Sequence, residues 1–126
     1  MILNLTDLSD EPLQSQIIRQ VRAKVLSGSL KAGDSLPSIR KLASSQKISV
    51  ITVQRAYEAL EREGLIHSRR GKGFFASGIN SDTKKEMAEL RIQEKIEPII
   101  KNALAEGMSI KEIETLVKEL LKSIEG

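Results

Sequence analysis

The stretch from Ser35 to Gly64 constrains this chain more than any other, because it predicts two short helices joined by a tight turn. Pro37 suits a first helical turn, where no backbone N–H is needed, and the Ser35 side chain can accept a hydrogen bond from a free amide there. The first helix is therefore expected to begin beside Pro37. It should last about two turns, until the polar residues 44–47 interrupt its apolar pattern.

The second helix of the pair is predicted to run from Val50 to about Glu63. Ser49 provides a side-chain oxygen for its first turn, and Gly64 provides the residue type with which helices commonly end. The apolar positions recur at helical spacing and define a face toward the core: Val53, Ala56, Tyr57 and Leu60. Two helices arranged in this way form a helix-turn-helix, whose second helix lies in the major groove of DNA.

The composition excludes several classes of function. With 126 residues the chain has room for one domain, or for one small domain with an appendage. It has no cysteine, which excludes disulfides and thiolate metal sites and makes a cytoplasmic location the expected one. No apolar run approaches the roughly 20 residues of a membrane helix, and the acidic amino terminus is unlike a signal peptide.

An enzyme is not expected either. The chain has a single histidine, His67, and no glycine-rich loop of the kind that holds phosphate. His67 falls on a predicted strand beside basic residues, where a lone histidine is more often a surface residue than a base or a ligand. The sequence therefore predicts no catalytic site, no metal and no cofactor.

Positive charge is concentrated in the first part of the chain. Residues 1–78 carry 12 Lys and Arg against 7 Asp and Glu, a balance of +5, whereas residues 79–126 carry 8 against 10, a balance of −2. A basic surface of this kind suits a polyanion as partner. Charge alone is equally compatible with an ordinary solvated surface, so the hypothesis depends on the fold around it.

Before the helix pair, the sequence predicts an extended amino-terminal arm and one further helix. Asp10 can cap that helix, Pro12 lies near its first turn, and Gly28 ends it. The glycine-containing segment that follows predicts a loop with a short extended piece leading to Leu36. The arm is expected to pack through its aliphatic residues: Ile2, Leu3, Leu5 and Leu8.

After the helix pair, the pattern changes and predicts a small β-hairpin over about residues 66–77, with a glycine-flanked tip at 71–73. A hairpin directly after a recognition helix is a wing. Its glycines allow close approach to a phosphate backbone or a minor groove, and Arg69, Arg70 and Lys72 supply positive charge. A plain polar turn is the alternative interpretation.

The fold class predicted overall is mainly α with a small β-wing: a winged helix-turn-helix domain over residues 1–78, then a two-helix dimerisation tail over 79–126. Residues 77–83 have the composition of a linker. Pro98 lies within the first tail helix and predicts a kink or a break near Glu94–Glu97. Ser109 and Glu112 have the spacing of a capping box and open the second tail helix.

Both tail helices carry apolar rows that are wider than a single partner helix requires. Two such helices cannot bury these rows against each other alone, which predicts contact with a second copy of the chain. Packing against the first domain is the alternative. The residues expected in the dimer interface are Leu90, Ile96, Ile99, Ile100, Ile113, Leu116, Val117, Leu120, Leu121 and Ile124.

The run from Pro12 to Ala76 resembles the winged helix-turn-helix domain of the GntR family of bacterial transcription regulators. The resemblance lies in the segments PLQSQI, SGSLKAGDSLPSIRKLA, ITVQRAYEALEREGLI and RRGKGFF, taken in that order. The short helical tail resembles the YtrA-type subgroup, whose members look like compact homodimers without the large ligand-binding domains of other branches.

This resemblance implies DNA contacts at the start of the first helix of the pair, around the recognition helix and in the wing. The residues implied are Ser38, Arg40, Ser49, Val50, Ile51, Thr52, Gln54, Arg55, Arg70, Lys72 and Gly73. Where relatives usually have glycine in the turn, this chain has Lys47, and Val50 and Ile51 replace residues that are polar or Pro-Asn. Apolar contact with thymine methyls is the physical substitute at these two positions, which predicts a half-site containing A·T pairs.

The sequence thus predicts a sequence-specific, homodimeric DNA-binding regulator, most simply a repressor that blocks polymerase at a palindromic operator. The alternative is a protein-interaction module whose amphipathic tail recruits a different partner and whose basic surface is incidental. The tail is too short to enclose a large metabolite. A small effector bound between the tail and the first domain, and no effector at all, are both compatible with the sequence.

Overall fold

The structure, a computed structural model, describes residues 1–126 and contains five helices and one two-stranded antiparallel sheet. The elements are α1 (Leu13–Ser27), α2 (Ile39–Gln46), α3 (Val50–Arg62), β1 (Ile66–Arg69), β2 (Gly73–Ala76), α4 (Ser81–Ala105) and α5 (Ile110–Glu125). The predicted fold class, mainly helical with a small hairpin, is confirmed. Two compact units are present, Met1–Asn80 and Ser81–Gly126.

The amino-terminal arm is held by glutamine side chains. Gln16, only 2% exposed, donates through Nε2 to the carbonyl oxygens of Thr6 and Glu11, each at 2.8 Å, and accepts from the Thr6 N–H at 3.0 Å. One turn later, Gln20 exchanges two 2.8 Å hydrogen bonds with the backbone of Asn4. These side-chain amides form hydrogen bonds with the backbone N–H and C=O groups of the arm, as the backbone of a neighbouring strand would.

The expectation that the arm packs through its aliphatic side chains is correct for two of the four and wrong for the other two. Leu3 is buried and Leu5 is half-buried, whereas Leu8 is 97% exposed and Ile2 is exposed as well. The reason is that side-chain amides fix the backbone of the arm, so only one of its apolar side chains is buried in the core. The helix that follows also lacks the expected cap, because Pro12 precedes its first residue and no side chain caps it.

The start of α2 differs from the prediction by one turn. Ser38, rather than Ser35, caps the helix, and its Oγ accepts a hydrogen bond from the Lys41 N–H at 3.1 Å. Ser35 instead forms an antiparallel bridge with Phe75. The residue before a proline is disfavoured in helical conformation, so the chain stays extended up to Pro37 and the helix begins after it.

The turn between α2 and α3 places a lysine in a conformation that usually requires glycine. Lys47 has a φ of 56° and is the only non-glycine residue with positive φ. The N–H of Ile48 closes the end of α2 by donating to the carbonyl of Ala43 at 3.0 Å. At the end of α3 the corresponding position is occupied by Gly64, as predicted, with a φ of 77°.

The core of the first unit is built around α3. Its four predicted inward residues are completely buried and meet side chains from α1, α2 and the hairpin: Val53, Ala56, Tyr57 and Leu60. From the other elements the buried set adds Ile17, Val21, Val25, Leu36, Leu42, Ala43, Leu65, Ile66 and Ala76. Helix α3 is therefore fixed along its inner face, and its outer face is left free.

The hairpin pairs Ile66 with Ala76 at its base and Arg69 with Gly73 at its tip. The extended piece predicted before Leu36 is present and lies along β2. The N–H of Leu36 donates to the Phe74 carbonyl at 2.9 Å, and the N–H of Ala76 donates to the Asp34 carbonyl at 2.8 Å. The inner edge of the hairpin is thus paired, which fixes the base from which the tip projects.

In the second unit, α4 begins earlier than predicted and ends at Ala105, as predicted. The expected linker at 77–83 is shorter, since Ser81, Asp82 and Thr83 already belong to the helix. The expected break near Pro98 is absent, because α4 is continuous through it to Ala105. Pro98 is exposed, and the good helix-forming residues on both sides outweigh the one backbone hydrogen bond that proline cannot make.

The second tail helix begins as predicted. The Ser109 N–H donates to the Glu112 carboxylate at 2.9 Å, and the Glu112 N–H donates back to Ser109 Oγ at 3.1 Å. The bond from the Ser109 backbone favours the ionised carboxylate and lowers the pKa of Glu112 below its ordinary value. None of the helices has the length and apolar character needed to span a bilayer.

We expect Lys47→Gly to stabilise the protein by about 0.5–1 kcal/mol, because glycine adopts a positive φ without the clash that an L side chain makes there. Ser44→Gly is the matched control. It places the same residue type on an exposed position inside α2 and should destabilise by about 0.5–1 kcal/mol. Urea unfolding followed by circular dichroism measures both, and a Lys47→Gly protein less stable than wild type would contradict the assignment of strain to this turn.

Candidate nucleic-acid interface

The outer face of α3 presents a mixed apolar and polar surface. Val50 and Ile51, in the first turn, are 46% and 57% exposed. Gln54 and Arg55 follow one turn later and are exposed too, while Thr52 is half-buried at the edge of the face. The structure therefore brings the predicted contacts of the recognition helix together on the side opposite the core.

Two serines cap the helices that border this face, and both keep a free hydroxyl proton. Ser49 Oγ accepts from the Ile51 N–H at 3.1 Å, in the way that Ser38 Oγ accepts at the start of α2. A hydroxyl that accepts one hydrogen bond can still donate its own proton. Both side chains are thus fixed by the helix starts and retain a donor suited to a phosphate oxygen.

Gln54 has a neighbour, Glu58, that is not among the predicted contact residues. Its Nε2 donates to Glu58 Oε1 at 3.2 Å, an i,i+4 contact on the exposed face. The spacing and the polar pair could have identified it. The bond uses one amide proton, so Gln54 retains its second N–H and its carbonyl oxygen for another partner.

Tyr57 connects α3 to the segment just before α2. Its hydroxyl donates to the Pro37 carbonyl at 2.7 Å, and its ring meets Phe74 edge-on with centroids 5.0 Å apart. Burial raises the pKa of Tyr57 well above its ordinary value, so the phenol stays protonated and remains a donor. Through this one side chain, the cap at Ser38, the recognition helix and the wing share a fixed geometry.

The opposite end of α3 is anchored by charge and by hydrogen bonds. Glu63, just after the helix, accepts two bonds from Arg22 of α1 at 2.8 and 2.9 Å, with side chains 33% and 20% exposed respectively. Glu61 accepts from both the N–H and the hydroxyl of Ser68 in β1. The acidic residues of α3 near its C-terminus thus hold the helix in place.

The wing carries its cations at the tip. Arg70 and Lys72 are exposed, and the glycines beside them, Gly71 and Gly73, have φ values of 73° and 103°. The neighbouring Arg69 is occupied differently, with its guanidinium 4.9 Å from the centre of the Phe75 ring. The backbone bends tightly at the tip, so its two charged side chains project from a turn that has little bulk of its own.

The cations at the candidate contacts have no acidic partner in the chain. The ion pairs present join Arg19 to Glu11, Arg22 to Glu63, and Lys101 to Glu97. Arg40 on α2, Arg55 on α3 and the two wing cations lie outside all of them. Unpaired positive charge on three neighbouring elements is what a polyanion requires. No group of three or more acidic or histidine side chains is placed to hold a metal ion.

Residues 13–76 match the family model described as bacterial regulatory proteins, gntR family. The chain belongs to the gntR family. At 33% identity it aligns with the HTH-type transcriptional repressor YtrA of Bacillus subtilis over 99% of its own length and 96% of that protein. A relative matched along nearly its full length places the chain among the short, YtrA-type members.

Solved structures of proteins of bacterial and archaeal transcription share the fold. YtrA from Sulfolobus acidocaldarius superposes with a TM-score of 0.63 at 30% identity, over 83% of this chain and 99% of that one. A protein described as a transcriptional antiterminator from Listeria monocytogenes superposes with a TM-score of 0.72 at 30% identity, over 100% and 94%. This gntR protein is therefore a transcription regulator with a winged helix-turn-helix DNA-binding domain, and the relatives matched are regulators rather than enzymes.

We expect Tyr57→Phe to destabilise this gntR domain by about 1–2 kcal/mol, because the Pro37 carbonyl loses its donor in a partly buried position. Phe74→Leu is the control, since it removes the aromatic contact and leaves the hydroxyl bond in place. Chemical denaturation compares the two variants and their double mutant. If Tyr57→Phe unfolds at the wild-type denaturant concentration, the bond does not hold α2 to α3.

Proposed function

We propose that this gntR-family regulator is a homodimeric repressor that binds a palindromic operator, with α3 in the major groove and the wing on the adjacent minor groove or backbone. The observation that carries the proposal is the division of α3 into two faces. Its inner face is completely buried, whereas its outer face is exposed beside unpaired cations on α2 and the wing. A rigid, two-faced helix of this kind fits the recognition helix of a helix-turn-helix.

The proposed contacts follow from the chemistry of each side chain. Arg40 and Arg55 can fork onto guanine or grip phosphates, and Gln54 can pair with adenine through its free N–H and carbonyl. Arg70 and Lys72 suit phosphate oxygens, and at Gly73 the absence of a side chain permits close approach. The hydroxyls near the helix starts, on Ser38, Ser49 and Thr52, supply further phosphate donors.

The homodimer is supported by the exposed apolar surface of the tail. Neither α4 nor α5 contains a buried residue in the single chain. On α5 the apolar side chains fall on one face, and those exposed include Leu116, Val117, Leu120, Leu121 and Ile124. A surface of this extent is stable in water when a second copy covers it.

On α4 the apolar row differs slightly from the predicted set. Ile92, which the sequence analysis omitted, lies four residues before Ile96 and eight before Ile100, so the three share one face. Leu90 is exposed but lies off this row. The i,i+4,i+8 spacing of the isoleucines was the signal that could have identified Ile92. We include it in the proposed interface.

The repressor assignment and the operator symmetry complete the proposal. The YtrA relative of Bacillus subtilis is named as a repressor, and a bound dimer that occupies a promoter blocks polymerase by exclusion. A twofold dimer presents two copies of α3, so its preferred site is a palindrome with half-sites about one helical turn apart. The protein then acts in the cytoplasm, where bacterial promoters lie.

We expect Arg55→Ala to weaken binding to an operator selected from random DNA by about 1–3 kcal/mol and to relax base preference. Lys72→Ala should weaken binding to all sequences alike and reduce the dependence of log affinity on log salt by about one per chain. Arg19→Ala, which removes the same charge from an exposed position of α1 outside the candidate contacts, is the control. Anisotropy titrations at several salt concentrations measure all three.

The opposite partition, with Lys72→Ala changing sequence preference and Arg55→Ala only the salt slope, would show that the roles of helix and wing are reversed. If Arg19→Ala lost as much DNA affinity as Arg55→Ala and Lys72→Ala, net charge alone would govern affinity. No preference of the wild-type protein for any selected sequence over bulk DNA would overturn the proposed function.

We expect Leu120→Glu to produce a monomer and to reduce operator affinity, because it places a charge within the proposed interface. Thr115→Glu is the matched control, since Thr115 lies on the polar side of the same helix. Light scattering coupled to size exclusion gives the mass of each variant. A dimeric Leu120→Glu protein, or a wild-type monomer at micromolar concentration, would argue against the tail as the dimer interface.

A further inference from the structure

Large aliphatic side chains in the first unit are exposed in two places. One is the amino-terminal arm, where Met1, Ile2 and Leu8 are exposed, and the other is the first turn of α3. Every other large aliphatic residue of this unit is at least half-buried. Val50 and Ile51 therefore form a small apolar patch at the front of a polar and basic face, and a partner that covers it removes apolar surface from water.

We propose that Val50 and Ile51 bind the C5-methyl groups of thymine, so that this regulator identifies A·T pairs partly through apolar contact. The inference rests on the proposed function, since it requires α3 in the major groove. The thymine methyl is the apolar group that a base pair presents there, and it distinguishes T·A from A·T and from both G·C orientations. Side chains without donors or acceptors can select a base in the major groove through this group.

The local geometry suits such a contact. The Ile51 N–H is bonded to Ser49 Oγ at 3.1 Å, so the backbone of the first turn is fixed. Valine and isoleucine branch at Cβ and have few rotamers in a helix, so the two side chains present a rigid surface. Little conformational entropy is then lost when a methyl group packs against them.

The next turn of the helix supplies a side chain suited to adenine. Gln54 lies four residues after Val50 and three after Ile51, directly above both on the exposed face. Its amide is oriented by Glu58 at 3.2 Å and keeps one N–H and the carbonyl oxygen free. These two groups match N7 and the N6 amino group of adenine. Adenine contact at Gln54 beside methyl contact at Val50 and Ile51 selects consecutive A·T pairs.

The test replaces thymine by deoxyuridine, one position at a time, in an operator selected from random DNA. This change removes a methyl group and nothing else from the major groove. Wild-type protein is expected to lose about fourfold in affinity for each contacted methyl, the value of one buried carbon. Substitution of both half-sites should give about sixteenfold, because the two copies of α3 act together.

Protein variants assign the contact. Val50→Ser and Ile51→Ser change exposed residues and should still fold, which circular dichroism verifies. At least one of them should bind the thymine and deoxyuridine operators equally. Arg55→Ala should weaken both operators while keeping their affinity ratio at the wild-type value.

Two results would overturn the inference and leave the proposed function intact: specific operator binding that no deoxyuridine affects, or serine variants that keep the wild-type ratio of the two affinities. A lack of any sequence preference would remove both proposals. Under the first result, the apolar patch would have to be covered by a protein surface rather than by DNA.

Discussion

The burial of one face of α3 is the constraint on which the first unit depends. Helices α1 and α2 and the hairpin all contact α3, and Tyr57 adds a partly buried hydrogen bond that links its inner face to the segment before α2. Because the inner face is fixed from three sides, the outer face has one orientation relative to Ser38 and to the wing. A surface proposed to match a DNA groove needs such rigidity, because its contacting groups have to be held within about 0.5 Å of the productive geometry.

The turn before α3 shows where stability and charge compete. A left-handed residue is needed to close α2 and redirect the chain, and glycine satisfies that need without strain. Lys47 adopts the left-handed conformation with backbone strain, and it adds a positive charge beside the proposed DNA surface. Charges elsewhere are used differently, since Arg19 and Arg22 pair with glutamates that hold the arm and the end of α3. Cations that stabilise the fold are thus separate from those left free for a partner.

Local patterns in the sequence predicted the helices, the hairpin, the Ser49 cap, the capping box of α5 and the glycine that ends α3, because each depends on residues within one or two turns. Features that depend on distant residues were missed. The bridge from Ser35 to Phe75, which adds to the local effect of Pro37 in keeping Ser35 outside α2, joins residues 40 positions apart. The glutamine clamp on the arm joins residues ten and sixteen positions apart, and no periodicity marks such a contact. The continuity of α4 through Pro98 depends on a balance of helix propensities too small to judge from the sequence.

The proposed roles of the two units are connected, because dimerisation through the second unit would raise the DNA affinity of the first. A single winged domain offers one short helix and a few phosphate contacts, which is the regime of weak, largely non-specific DNA binding. If the tail joins two copies, the second half-site is bound from a high effective concentration, and overall affinity rises without any new contact to a base. Selectivity multiplies in the same way, because each methyl group or hydrogen bond counts twice on a palindrome. The proposed dimerisation through the apolar tail and the proposed base contacts of α3 would thus both increase the selectivity of a chain of 126 residues for one DNA site among many.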